Sequence, residues 1–285
     1  MGLYLRPRTI EEAVTALAAT GGTVLAGGTD FYPLRVGRAL DDDVLDITAI
    51  DSLRAVRETD DHWRIGATAT WRDVVEAALP PLFDGLKLAA REVGGAQIQN
   101  TGTVAGNLCN ASPAADGVPA LMALDARVEL VSARGARTLP LAAFVLGNRR
   151  TAVRADELVS AILVPRRSPR AVGHFLKLGA RRYLVISIVM AAGMIDVDDD
   201  GRIVDAAVAI GACSEVAQRL PALEQALVGR HGDSALHEVV DPGQFSALRP
   251  IDDMRGSAEY RLEAAGTLTR RLLRDLAVKS TGARP

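Results

Sequence analysis

Two short stretches of this chain combine glycine with hydroxyl and amide side chains in a way that can hold an anion. The first is Leu25-Ala26-Gly27-Gly28-Thr29-Asp30, an apolar run that feeds a glycine pair. Glycines at such a turn let several backbone N–H groups approach one point closely. The second is Asn100-Thr101-Gly102-Thr103-Val104-Ala105-Gly106-Asn107, followed at once by Asn110, Ser112 and Asp116. Neither is a GxGxxG fingerprint, and neither is a P-loop, which needs Gly-Lys-Ser/Thr at its end. A dinucleotide carries two phosphates, a ribose and an aromatic head, more than one loop usually satisfies. Two Gly/Thr loops about 75 residues apart, with an acid able to accept from hydroxyls, can cradle a pyrophosphate and the polyol beside it.

Acid–base and metal chemistry leave no comparable signal. There is no GxSxG elbow, no HExxH and no kinase motif set. The histidines (His62, His174, His231, His237) and the two cysteines, Cys109 and Cys213, lack the spacing of a zinc or iron–sulfur site. His62 beside Trp63 reads as a turn or surface residue, and Cys109 as a small hydrophobe inside the second loop. No catalytic residue and no metal ligand is expected of the chain itself.

These loops need elements to position them. Thr9 and Glu12 form a capping box for a first helix, with Val14, Leu17 and Ala18 as its apolar stripe and Gly21-Gly22 as its end. Residues 24–26 make a strand into the glycine pair, and a helix is expected to open near Asp30. Strands are read at 44–47 and 63–67, and Thr70 caps a helix that Pro80-Pro81 stops. Residues 94–117 show no sustained periodicity, and a stretch this irregular with so little charge is functional rather than a solvated loop. Strands follow at 128–131 and 158–164. The basic run Arg166-Arg167-Ser168-Pro169-Arg170 reads as a solvated hinge. Beyond it come strands at 175–178 and 185–197, a turn at Asp198-Asp199-Asp200-Gly201, a strand at 204–212, and helices at 221–228 and 257–276. An α/β half, a hinge, then strands followed by helices give an α+β class.

Composition narrows the setting. The chain has 285 residues, is 48% hydrophobic, and carries a formal charge of −2 from 33 basic and 35 acidic residues, values of an ordinary globular protein with no nucleic-acid footprint. No window approaches the roughly 18 uncharged apolar residues of a membrane span. With no signal-peptide pattern and few cysteines, the expected location is cytoplasmic.

At the glycine loops the chain resembles the FAD-binding medium subunits of the molybdenum hydroxylases, the xanthine dehydrogenase and carbon monoxide dehydrogenase flavoprotein type. AGGTD at 26–30 resembles that family's AGGT(D/S) loop. QIQNTGTVAGNLCNASPAADGVPALMALDA at 97–126 is similar to its (V/I)RNxGTIGGNxxxASPxxDxxPALLALDA, and KLGARRYLVISIVMAA at 177–192 resembles its KxGxRxxxAIS segment. The three stand in the family's order and spacing. The resemblance implies a vanillyl-alcohol-oxidase (PCMH-type) FAD-binding domain of two α+β subdomains over 1–168. A small α+β C-terminal domain of the carbon monoxide dehydrogenase flavoprotein type, a three-stranded sheet with helices, would follow over 171–280.

By the same resemblance FAD is bound non-covalently. Val24, Leu25, Ala26, Gly27, Gly28, Thr29, Asp30 and Phe31 would hold the pyrophosphate from one side, and Thr103, Val104, Ala105, Gly106 and Asn107 from the other. Asp116 would lie near the ribityl chain and flavin ring, Lys177 would reach the cofactor, and Val159 would line its edge. Tyr183 stands where some members place a tyrosine over one face of the isoalloxazine and others a small or acidic residue. Ala105 replaces the usual second glycine, so either it sits at negative φ or the loop differs. The two cysteines and the lack of an insertion disfavour the 4-hydroxybenzoyl-CoA reductase branch, and Thr29-Asp30-Phe31 favours a purine- or heterocycle-type complex over carbon monoxide.

The implied function is electron transfer. Substrate (a purine, N-heterocycle or aldehyde) would be oxidised on a large subunit carrying the molybdenum cofactor, and electrons would cross [2Fe-2S] clusters of a small subunit. FAD here would then pass them to an external acceptor, in a dimer of heterotrimers. The residues alone leave two rivals open: a self-sufficient FAD-dependent oxidoreductase of the vanillyl-alcohol-oxidase superfamily, and a non-enzymatic α+β module whose glycine loops are only turns.

Overall fold

A computed structural model describes residues 2–37 and 41–282. The chain divides into two compact units, each assembled from three separate segments. The first comprises Met1–Ala77, Gly95–Ala111 and Ala126–Pro165; the second comprises Ala78–Gly94, Ser112–Asp125 and Arg166–Pro285.

In the first unit, helix Ile10–Thr20 starts at Thr9, whose hydroxyl accepts from the Glu12 N–H, and ends on Gly21 at φ 62°. Glu12 does reach back, but its carboxylate accepts from the Arg8 N–H at 2.8 Å, one residue before the cap. Ala13, Val14 and Leu17 bury its apolar face with Leu45, Ile47, Ile50, Leu53 and Leu158. A three-stranded parallel sheet carries the first glycine loop, with Val44–Asp46 between Tyr4–Leu5 and Thr23–Leu25. A five-stranded antiparallel sheet lies in the order Val56–Glu58, His62–Gly66, Leu158–Pro165, Arg127–Ser132, Gly135–Pro140.

The second unit is a sheet in the order Val172–Leu178, Val189–Val197, Ile203–Gly211, Gln218–Arg219. Its fourth strand, two residues long, corrects the expected three-stranded sheet. All nine residues of Val189–Val197 are buried, because helices pack on it: Ala258–Ser280, capped by Ser257, and Gly117–Ala123. Such a strand reads as one apolar run without alternation. Helix Asp84–Glu92 packs on the neighbouring strand Val172–Leu178, where the Gly85 position leaves no room for a side chain against the His174 backbone.

Four other expectations change. No helix opens at Asp30; the chain turns there and makes only the 3-10 turn Pro33–Arg35. Residues 94–117 are not irregular but hold the short helices Ala96–Thr101 and Val104–Asn110, with Gly117–Ala123 directly after, too short to show a 3.6-residue pattern. The strand read at 185–197 begins only at Val189, and the stretch before it turns at Leu184, φ 51°. The run 166–170 begins where the chain passes from the first unit to the second and is mostly exposed, as a solvated hinge is, but it is tied down by side-chain bonds. Arg167 pairs with Asp125 and, at 2.9 Å, with Asp205; Ser168 bonds Asp196; and Arg170 pairs with Asp199. Among the described residues no helix is long and apolar enough to cross a membrane.

Candidate functional site

The two glycine loops, distant in sequence, touch through their backbones within the first unit. A Cβ at Gly27 would lie 2.2 Å from the Thr101 carbonyl oxygen, and one at Gly102 would lie 3.4 Å from Thr29 Oγ1. Glycine at 27 is what allows this approach; at Gly102 the tight contact is with the Ile98 carbonyl oxygen of its own loop, 2.9 Å from a Cβ. Gly28 has φ +70°, a conformation only glycine adopts freely, and its Cβ would meet the Tyr32 ring at 2.7 Å. Strand Thr23–Leu25 delivers the loop: Leu25 is buried, Val24 exposed, and Ala26, Gly27, Gly28 and Thr29 half-buried. Asp30 is exposed, and Phe31 packs edge-on against Tyr32 with the Arg35 guanidinium 3.8 Å above its ring.

Across the contact, Thr103 caps helix Val104–Asn110 with its hydroxyl accepting from the Gly106 N–H at 3.0 Å. A Cβ at Gly106 would stand 2.7 Å from that hydroxyl, so a larger residue there would make the Thr103 side chain shift. Val104 and Ala105 are buried inside the helix. Ala105 is therefore at negative φ, which settles the first of the two outcomes left open for it. The strained position is instead Ala111, at φ 47° behind the helix. Trp71 N–H and Val104 N–H bind the loop to the rest of the unit through the Gly102 and Ala69 carbonyls, at 3.1 and 3.0 Å.

One polar atom here lacks a partner. Asn107 Oδ1 is buried and accepts no hydrogen bond from any described residue, a state that costs roughly 1–3 kcal/mol unless a donor arrives. A phosphate cannot supply that donor, whereas a hydroxyl of a ribose or ribityl chain can. A cradle emptied of side chains plus a buried acceptor that needs a hydroxyl fits the phosphate-and-polyol middle of FAD. Val159, also of this unit, is 6% exposed in strand Leu158–Pro165 and sits at a bulge.

The second unit gathers charge instead. Asp116 precedes helix Gly117–Ala123 but does not cap it. One carboxylate oxygen accepts from Lys177 Nζ at 2.8 Å and the other from the Ser187 hydroxyl at 2.7 Å. The Lys177 ammonium also faces the Glu92 carbonyl at 3.4 Å. The Lys177 and Asp116 side chains are 6% and 9% exposed. Burial pushes the Asp116 carboxyl above its ordinary value, with Lys177 and Ser187 pulling the other way and Glu92 adding to the rise. An open pocket of about 390 Å³ borders Lys177, with Leu88, Glu92, Phe175, Arg181 and Val185 among its walls. Tyr183 stands 62% exposed in the turn before Val189, with the Arg182 guanidinium 5.3 Å from its ring centre. Ser187, 2% exposed, was not among the residues expected from sequence. Its signal was a lone hydroxyl in the otherwise apolar run 184–192.

Residues 1–167 match the family described as the FAD binding domain in molybdopterin dehydrogenase, and residues 174–276 match the CO dehydrogenase flavoprotein C-terminal domain. The nicotinate dehydrogenase FAD-subunit of Eubacterium barkeri is 30% identical over 282 residues, covering 96% of this chain and 95% of that protein. The caffeine dehydrogenase subunit beta of Pseudomonas sp. (strain CBB1) is 32% identical over 283 residues, covering 95% and 92%. Among solved structures, a chain of the reconstituted CO dehydrogenase from Oligotropha carboxidovorans superposes with a TM-score of 0.87 at 26% identity, covering 98% of each chain.

Proposed function

The chain belongs to the FAD-binding medium subunits of the molybdenum hydroxylases, and from that premise we propose the electron route it serves and the residues that hold its cofactor. The backbone contact between Gly27 and Thr101 carries the reading, because it joins two glycine loops that would otherwise be separate turns. Residues 24–31 and 103–107 hold the pyrophosphate with backbone N–H groups, and Asn107 Oδ1 accepts from a cofactor hydroxyl. Asp116 and Lys177 face the ribityl–flavin end, Val159 lines an apolar edge, and Tyr183 covers part of the ring. No histidine stands in either loop, which supports non-covalent attachment.

FAD, when bound, supplies the electron-carrying chemistry. The protein's own groups position it and set its electrostatics. Substrate is oxidised on a large molybdenum-cofactor subunit, electrons pass through the [2Fe-2S] clusters of a small subunit, and this chain hands them to an external acceptor. The assembly is a cytoplasmic dimer of heterotrimers. The names of the nicotinate and caffeine relatives support an N-heterocycle or purine as substrate, and the family matches at 1–167 and 174–276 support 1–168 and 171–280 as the two domains.

The test is anaerobic and optical. The purified chain is mixed with purines, N-heterocycles and aldehydes while flavin absorbance is followed, first alone and then with the molybdenum and iron–sulfur subunits. Bleaching only with the partners is expected. Bleaching of the isolated chain by substrate overturns this reading and promotes a self-sufficient flavoenzyme. Acid precipitation should release all the colour into the supernatant.

A further inference from the structure

Asp116 and Lys177 come from a helix start and a strand 61 residues apart, and both lie almost out of water. An ion pair so placed depends on every remaining lone pair being met, since desolvation costs as much as the attraction returns. Lys177 meets only one carboxylate oxygen. The other faces Ser187 Oγ at 2.7 Å, in a bond buried on both sides. Ser187 sits in the irregular stretch before Val189, between half-exposed Val185 and buried Val189, where no strand register demands a hydroxyl.

We propose that Ser187 is a positioning residue for the Asp116–Lys177 pair: its hydroxyl fixes the plane of the carboxylate so that one oxygen is spent on the ammonium, and the ammonium proton that neither Asp116 nor the Glu92 carbonyl takes stays available to the cofactor. This rests on the assignment of Asp116 and Lys177 to FAD made above. The hydroxyl proton goes to Asp116 because no other acceptor is bonded to it among the described residues. With both oxygens occupied, the carboxylate cannot rotate to take a second ammonium proton. The charged groups facing Asp116 are Lys177 from strand Val172–Leu178 and Glu92 from helix Asp84–Glu92. Of these only Lys177 favours the ionised form, and Ser187 is its uncharged ally. Without the hydroxyl, burial and Glu92 act against Lys177 alone.

The experiment compares Ser187→Ala and Ser187→Thr in the full chain. Asp116 ionisation is followed in the FAD-free protein by isotope-edited carboxyl infrared bands, and FAD affinity by flavin fluorescence. Ser187→Ala should move the Asp116 titration to higher pH and weaken FAD by roughly 2- to 10-fold, the scale of one net hydrogen bond. Ser187→Thr should restore both, which a merely space-filling role would not require. An Asp116 titration unmoved by Ser187→Ala overturns the positioning role. A moved titration, with Asp116→Asn binding FAD as tightly as the unaltered chain, instead overturns the assignment of the pair to the cofactor.

Discussion

The two units offer opposite means of recognition. In the first, the proposed site is backbone: Gly27 and Gly28 leave room that a Cβ would fill, and the groups on offer are peptide N–H donors and an amide oxygen with no partner among the described residues. In the second, three side chains (Asp116, Lys177, Ser187) make a buried polar knot that ends on a pocket wall. A backbone site tolerates almost any neighbour but no Cβ. A side-chain site tolerates backbone change but not the loss of a partner. The two should therefore fail differently under mutation.

The largest effect is expected at the backbone site. Gly28→Val places a β-branched residue at φ +70°, against Tyr32, in a region such residues avoid. A folded but colourless protein is predicted, read from circular dichroism beside the flavin spectrum. A variant that keeps stoichiometric FAD would break the comparison, since it would show that the glycine loop is not a backbone cradle.

Lys177→Met should instead cost stability before anything else. It leaves Asp116 buried without its cation, worth about 3–5 kcal/mol in comparable buried pairs, measured by urea unfolding of the FAD-free chain. Asp116→Ala comes next, weakening FAD by about 1–3 kcal/mol, the scale for losing a charged hydrogen-bond partner. It also carries a pH signature. Because the folded carboxyl is raised above its ordinary 3.8, the folded chain binds this proton more tightly than the unfolded one. Asp116 therefore adds stability as pH falls from its raised value toward 3.8, and weighs against folding above it. The Ala variant should lose that slope in a stability-against-pH curve.

The smallest effect sharpens the contrast. Asn107→Ala removes an acceptor that no described group uses, so FAD binding should weaken by about 1 kcal/mol while the urea midpoint of the FAD-free chain does not fall, since the variant also sheds an unmet buried acceptor. A loss of stability equal to the loss of affinity would mean that Asn107 serves the fold and not the ligand.

How much of this the sequence disclosed follows the same division. The glycine loops were legible because the constraint on them is local: a residue without a Cβ announces a close approach wherever it stands. Their contact was not, since nothing in residues 26–30 names Thr101. Asp116 stood out beside the second loop as an acid able to accept from hydroxyls, but Lys177 was reached only through the resemblance, because a buried ion pair assembled across 61 positions leaves no periodic trace. Ser187 escaped as an ordinary serine in an apolar run. The short helices between 96 and 123 escaped too, each seven residues or fewer, so tertiary packing rather than local pattern decides them. The expected helix at Asp30 gives way to a single 3-10 turn, Pro33–Arg35, which the chain leaves at Val36, ψ 127°, before the left-handed Gly37.

The threading of the chain between its units sets a clock on its birth. Helices Asp84–Glu92 and Gly117–Ala123 bury Leu86, Ala89, Leu121 and Met122, yet the strands they pack on begin only at Val172. At about 5–20 residues per second of synthesis, the last 120 residues take roughly 6–24 s to emerge. For that interval the nascent protein displays apolar faces whose cover does not yet exist. A chain stopped at residue 165 would display them for good, and its fate would be capture by a holdase or precipitation.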